Sequence, residues 1–128
     1  MELRDALRTT GAVREFDGSP VDRATVYDLL ETARFAPSGG NRQAWRVVLV
    51  EDAERRRALR DLYLTGWYEY LAIARAGLVP FAPITDRAAE DVARKAAPAV
   101  AAAAREAAPG FAERLDEVPV LLVLLADL

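Results

Sequence analysis

Residues 36–45 read APSGGNRQAW, and the rest of the chain is arranged around this stretch. Pro37 biases Ala36 away from the right-handed helical region, so the preceding helix ends there. Ser38, Gly39 and Gly40 follow as a short path with little steric bulk. Glycine takes positive φ and lets another molecule approach the backbone closely. Asn41, Arg42 and Gln43 add amide and guanidinium donors. Trp45 comes next, and the run VVLV at Val47 to Val50 is a strand signal. By residue type alone the stretch is an ordinary helix-to-strand loop with common turn chemistry. The functional alternative is a loop that grips a ligand with its backbone and amides.

Toward the N-terminus, Leu3, Ala6 and Leu7 predict a short amphipathic helix over about residues 2–9, with Gly11 as its stop. Ala12 to Phe16 is extended, and Asp17-Gly18-Ser19-Pro20 closes it as a turn. Arg14 is either a solvated arginine or an anion contact, for which a guanidinium is well shaped. Asp22 caps a helix expected to bury the face formed by Val26, Leu29, Leu30 and Ala33. That helix delivers the chain into the loop.

Toward the C-terminus, the strand Arg46 to Val50 leads into a charged helix opened by Glu51 and Asp52. Its inner face is expected at Ala58, Leu59 and Leu62. Arg55, Arg56, Arg57 and Arg60 form a basic cluster of the kind that is normally a solvated helix face. The segment Tyr63 to Phe81 is rich in aromatics and is expected to be interrupted at Gly66 and Gly77. Trp67, Tyr68 and Tyr70 pack in a core or against another subunit, or line a flat pocket. Thr85 or Asp86 caps a further helix. The alanine-rich stretch from Ala96 to Ala108 favours helix, bounded by Pro98 and Pro109-Gly110. Residues 63–112 together are expected to form a helical insertion or lid. The apolar run VPVLLVLLA at Val118 to Ala126 predicts a strand buried on both faces. Such a strand normally feeds another covering element. The expectation is therefore a single domain over residues 1–128 that is part of a longer one.

Composition removes whole classes of chemistry. The 128 residues include no cysteine and no histidine, so thiol nucleophiles, disulfides, imidazole acid-base catalysis and the usual metal motifs are absent; no metal site is expected. The net charge of −3 argues against an electrostatic nucleic-acid binder. No uncharged apolar stretch reaches the ~18 residues of a membrane span. The N-terminal MELRDALRTT is not a signal peptide. A cytoplasmic protein is the default expectation, and its chemistry must use carboxylates, lysine, tyrosine or a borrowed cofactor.

The run VREF at Val13 to Phe16, then SPV at Ser19 to Val21, a helix, and ARFAPSGGNRQAW ending in VVLV together resemble the nitroreductase family. The later VPVLLVLLA strand is similar by position. The resemblance implies an α+β fold, a three-layer α/β/α arrangement on a mixed central sheet, here incomplete. It implies a homodimer that binds FMN at the dimer interface. It also implies an enzyme that takes hydride from NADH or NADPH and passes it to nitroaromatics, quinones or similar small electrophilic acceptors. No catalytic side chain is implied, because the flavin performs the redox step. Thr10, Gly11, Ala12 and Arg14 match the family's first flavin-binding segment, with Arg14 at a basic position near the ring or ribityl chain. Ser38, Gly39, Asn41 and Gln43 match positions along the isoalloxazine. The family usually places arginine and serine at the start of the first segment to hold the phosphate, where this chain has Thr10, Gly11 and Ala12. Losing a bidentate arginine there weakens a charge-assisted contact. That departure keeps a second expectation open: a degenerate, non-catalytic flavin-binding or dimeric module of the same fold.

Overall fold

The computed structural model of the chain describes residues Glu2–Ala126. Helix α1 (Leu3–Thr9) is short and lies at the surface. The next helices begin where the sequence supplies an acceptor for their free N–H groups. Asp22 Oδ1 accepts from the Thr25 N–H at 2.8 Å ahead of α2 (Arg23–Ala33). After strand β1 (Trp45–Leu49), Asp52 accepts from the Arg55 N–H at 2.9 Å and opens α3 (Ala53–Arg75). Of the two candidates ahead of α4 (Arg87–Arg94), Asp86 makes the cap, 3.0 Å from the Ala89 N–H. Each such cap contributes about 1 kcal/mol. Helix α5 (Ala97–Glu106) instead carries Pro98 in its first turn, where a missing N–H breaks no helical bond.

Helix α3 departs from expectation at Gly66, which does not interrupt it. One glycine costs a helix only about 1 kcal/mol relative to alanine, and the neighbouring residues are mostly good helix formers. The helix stops at Gly77, whose φ of 78° is left-handed. There the Leu78 N–H returns to Ile73 O at 3.2 Å and the Gly77 N–H to Ala74 O at 3.0 Å, the paired bonds of a glycine C-cap. The inner face is also corrected. Ala58 and Leu62 are exposed, while Arg56, Leu59 and Arg60 turn inward.

Two of the four clustered arginines thus leave the solvated face assigned to them. Arg56 Nε donates to Asp116 O at 2.8 Å, its Nη2 donates to Val118 O, and its Nη1 lies 3.5 Å from Val50 O. Arg60 Nη1 pairs with Asp116 Oδ2 at 3.0 Å. Arg55 and Arg57 remain exposed. The guanidinium of Arg56 therefore ties the exit of β1 and the approach to the last strand onto one helix.

That strand, β2, runs Leu122–Ala126, shorter than the run from Val118. Pro119 lacks an N–H, and the Asp116 and Val118 carbonyls are taken by Arg56, so the chain reaches the sheet only afterwards. β2 pairs antiparallel with β1, from Trp45 opposite Ala126 to Leu49 opposite Leu122. The Val50 N–H extends the ladder to Leu121 O at 2.9 Å. The class is α+β, and among the described residues the sheet consists of this antiparallel pair. The expected burial of β2 on both faces is not found. Leu124 is 70% exposed, and Leu122 and Leu125 are also open.

Of the face that α2 is expected to bury, Val26 is buried and Leu30 half-buried, while Leu29 and Ala33 are exposed. The main core is built from small side chains: Val50, Ala72, Ile73, Ala93, Val100, Ala112 and Val118. It lies along α3, against α4, α5 and the turn before β2. Along α3, Tyr63, Trp67 and Tyr70 stack in sequence with centroids 6.1 and 5.3 Å apart, and Phe81 continues the stack at 6.1 Å. Trp67 and Tyr70 are half-buried in this surface ladder, so the core alternative is not met for them. No helix among the described residues is long and apolar enough to cross a membrane.

Candidate functional site

The loop between α2 and β1 is a turn of unusual backbone. Gly40, Asn41 and Gln43 all have left-handed φ, at 60°, 51° and 49°. Glycine adopts this region freely and asparagine more readily than most residues. Gln43 does not, and its conformation costs about 1–2 kcal/mol. The loop repays this locally. The Gln43 N–H donates to Ser38 Oγ at 3.0 Å, and the Asn41 N–H donates to Ser38 O at 2.9 Å. Ser38 thus clasps both ends of the turn.

Side chains continue the pattern. Trp45 Nε1 donates to Gln43 Oε1 at 2.9 Å, and Gln43 Nε2 donates to Asn41 Oδ1 at 3.0 Å. An indole N–H can only donate, so it must face the amide oxygen of Gln43. The Gln43 nitrogen is then turned to Asn41, and it must meet the oxygen of that amide. The remaining group, Asn41 Nδ2, is left pointing away from the chain of bonds as a donor. Asn41 and Gln43 line an open cleft of about 460 Å³ with Arg34, Phe35 and Trp45. Phe35 is 77% exposed, and the Arg34 guanidinium sits 5.6 Å from its ring centre. A Cβ placed on Gly39 would meet nothing within 4 Å, so the loop backbone faces open space.

The first segment is placed elsewhere. Thr10 caps α1, and its hydroxyl donates to Ala6 O at 2.6 Å. That proton is not available to an anion. Gly11 and Ala12 are exposed and offer only backbone groups. Arg14 lines a second cleft, about 380 Å³, with Phe16, Phe111, Arg114 and Glu117. Phe16 and Phe111 meet at 6.5 Å across it. The Asp17-Gly18-Ser19 turn shapes its mouth, and the Ser19 N–H donates to Asp17 Oδ1 at 2.8 Å. That backbone bond lowers the Asp17 pKa below 3.8. The structure therefore brings Ser38, Asn41 and Gln43 together, and places Arg14 in a separate cleft of the same chain.

Several lining residues escaped sequence reasoning. Phe35 and Trp45 border the loop, and their adjacency to it was the available signal. Arg114 and Phe111 carry no local signal, since their proximity to Arg14 depends on the fold. The wall they form is held by Tyr68, whose hydroxyl donates to Glu113 Oε1 at 3.2 Å while Glu113 Oε2 accepts from the Gly110 N–H at 3.0 Å. Burial, and then the Glu113 carboxylate, push the Tyr68 pKa above 10.0.

Comparison with known proteins adds independent findings. The model of the nitroreductase family matches residues 7–128 of the chain. A 5,6-dimethylbenzimidazole synthase of Rhodospirillum rubrum is 49% identical over 49 residues, covering 38% of this chain and 23% of that protein. An NADH dehydrogenase of Thermus thermophilus is 34% identical over 61 residues, covering 48% and 30%. A Cr(VI) reductase of Pseudomonas is 32% identical over 57 residues, covering 44% and 24%. The matched stretch thus spans under a third of each relative's length. No solved structure matches the chain.

Proposed function

The chain belongs to the nitroreductase family, and from that premise we propose that it is an FMN-dependent oxidoreductase. The donor is NADH or NADPH, and the acceptor is a nitroaromatic, a quinone or a similar small electrophile. The single observation that supports this best is the bond chain from Trp45 through Gln43 to Asn41. It leaves an amide donor on an exposed loop beside open backbone at Gly39. An isoalloxazine edge carries carbonyl oxygens and ring nitrogens that accept such hydrogen bonds.

The residues fit the ring better than the phosphate. Asn41, Gln43 and the backbone at Ser38 and Gly39 would hold the ring edge. Arg14 would serve the ring or ribityl chain from the other cleft. Thr10, Gly11 and Ala12 would contribute backbone N–H groups only, because the Thr10 proton is engaged with Ala6 O. The bound flavin would supply two-electron chemistry, and the protein would supply binding, orientation and electrostatics. Arg14 and Asn41 line different clefts of one chain. A homodimer resolves that separation, since each flavin can take the loop of one copy and the Arg14 segment of the other. The partners are then a second copy and a small-molecule acceptor, with no nucleic acid and no membrane, in the cytoplasm. Residues 63–112 would shape the acceptor side.

The purified protein should be yellow, or become so with added FMN, and NADH or NADPH should bleach the visible band. A colourless protein that leaves the spectrum of added FMN unchanged defeats this reading. The lack of side-chain phosphate ligands at Thr10–Ala12 favours one second reading, a flavin-holding module without turnover. Bound FMN that stays oxidised with both nicotinamides, and turns over no nitro or quinone acceptor, selects it.

A further inference from the structure

We infer that Trp45 is a positioning residue: its indole N–H, acting through Gln43, fixes the Asn41 amide so that the loop offers a hydrogen-bond donor, not an acceptor, to its ligand. The inference rests on the flavin reading for the identity of that ligand, but its structural half stands without it.

Donor and acceptor parity decides which way the amides turn. An amide has two ends, and rotating it by half a turn exchanges donor for acceptor at little steric cost. Asn41 on its own could therefore present either Nδ2 or Oδ1 outward. Gln43 on its own has the same freedom. Trp45 does not, because an indole N–H has no acceptor face. With Trp45 Nε1 2.9 Å from Gln43 Oε1, the Gln43 nitrogen must be at the far end, 3.0 Å from Asn41 Oδ1. Reversing Asn41 would set two N–H groups against each other. Reversing Gln43 would set the indole N–H against another. The one-way donor at Trp45 is thus transmitted across two ambivalent side chains to the cleft. The backbone is arranged for the same end. Gln43 accepts a left-handed φ of 49° that glycine would take freely, and its N–H is secured by Ser38 Oγ. A glycine there would relieve the backbone and break the relay.

The consequence is a preference for ligand atoms that accept hydrogen bonds, and more so for atoms that gain negative charge. A flavin gains electron density on its ring heteroatoms when reduced. A fixed donor therefore holds the reduced form more tightly than the oxidised form, and raises the midpoint potential of the bound cofactor.

Two variants of the full chain separate the possibilities. Trp45→Phe keeps an aromatic ring and removes the N–H. Gln43→Glu keeps the indole's partner but turns an acceptor-only carboxylate toward Asn41, which draws Nδ2 inward and presents Oδ1 outward. The first measurement is proton–nitrogen NMR without flavin. Only two indole signals exist, from Trp45 and Trp67, and Trp45→Phe identifies one by deletion. The expected result is a protected Trp45 N–H, with shifted Asn41 and Gln43 side-chain amide signals in Trp45→Phe. A freely exchanging indole, and amide signals that do not move, overturn the inference outright. The second measurement is FMN affinity and midpoint potential. The expected result is about fivefold weaker binding for Trp45→Phe, the size of one neutral hydrogen bond. The potential should fall in both variants, and further in Gln43→Glu. Equal affinity and potential in wild type and both variants overturn the inference while leaving the flavin reading intact. Wild type with the NMR signature but no FMN binding defeats the flavin reading and leaves the relay standing. Should Trp45→Phe fail to fold, Trp67→Phe leaves the Trp45 indole signal alone, and Gln43→Leu removes its acceptor without adding charge. Loss of Trp45 N–H protection with shifted Asn41 amide signals is then the expected result, and unchanged signals overturn the inference.

Discussion

Gln43 is where local cost and local gain meet. Its left-handed backbone is unfavourable by about 1–2 kcal/mol for a residue with a Cβ, and Ser38 Oγ offsets part of this by accepting its N–H. Ser38→Ala should therefore lose about 1 kcal/mol of stability, read as a lower urea midpoint at unchanged slope, and should bind FMN more weakly. An unchanged midpoint would mean that the serine does not hold the turn. A second residue-scale effect lies at Tyr68. Partial burial first, and then the facing Glu113 carboxylate, raise its phenol pKa above 10.0. A raised folded-state pKa favours the protonated phenol. Its contribution is complete below pH 10.0 and is lost as pH rises through the higher folded value. Tyr68→Phe should flatten that alkaline loss, seen by circular dichroism in a pH titration. An identical alkaline transition in the variant would assign the loss to other groups. The turn itself was legible in the sequence, because Pro37, Ser38, Gly39, Gly40 and Asn41 announce turn chemistry on their own. The sense of the Asn41 amide was not, since it depends on which atoms of Trp45 and Gln43 meet in space.

Elements show the same division between local and distant causes. The caps Asp22, Asp52 and Asp86 were readable because a cap and its N–H lie three residues apart. The end of α3 at Gly77 was readable for a similar reason, while its passage through Gly66 was not, because one weak residue is outvoted by its neighbours. The arginine cluster on α3 was misjudged on a different ground. Four arginines within six positions look alike in sequence, and only the path of residues 116–118 selects Arg56 and Arg60 to turn inward. Arg56→Met should then cost about 2–3 kcal/mol, because it removes charge-assisted bonds and strands the Asp116 and Val118 carbonyls. Arg55→Met and Arg57→Met, on the exposed side, should stay within about 0.5 kcal/mol of wild type. Thermal unfolding of the three variants makes the comparison. Equal losses in all three would return the cluster to a solvated face.

At the scale of the whole molecule, the apolar run ending at Ala126 raises the question that composition could not answer: what covers it. The sequence reads as a strand buried on both faces, yet Leu122, Leu124 and Leu125 stand open, as does Val48 on β1. Periodicity reports how apolar a strand is and not which molecule supplies its cover. Leu122 and Leu124 lie on one face of the strand pair, and Val48 and Leu125 on the other. Exposed apolar side chains on a sheet face mark an interaction site. Within the proposed homodimer, the face carrying Leu122 and Leu124 and the two separated clefts become one problem, because bringing two copies together would cover these leucines and unite Arg14 of one copy with Asn41 of the other. Leu124→Glu tests that coupling. Leu124 projects from β2 opposite Val47 on β1, and an unpaired carboxylate buried there would be strongly unfavourable. The variant should sediment as a monomer at concentrations where wild type is dimeric. It should also lose FMN in parallel, although no residue of either cleft has been changed. A monomer that still binds FMN as tightly as wild type would place the whole flavin site within one chain, and a dimer that survives the substitution would move the interface to another surface. Loss of both together is the outcome expected if the open sheet and the divided site have the same cause.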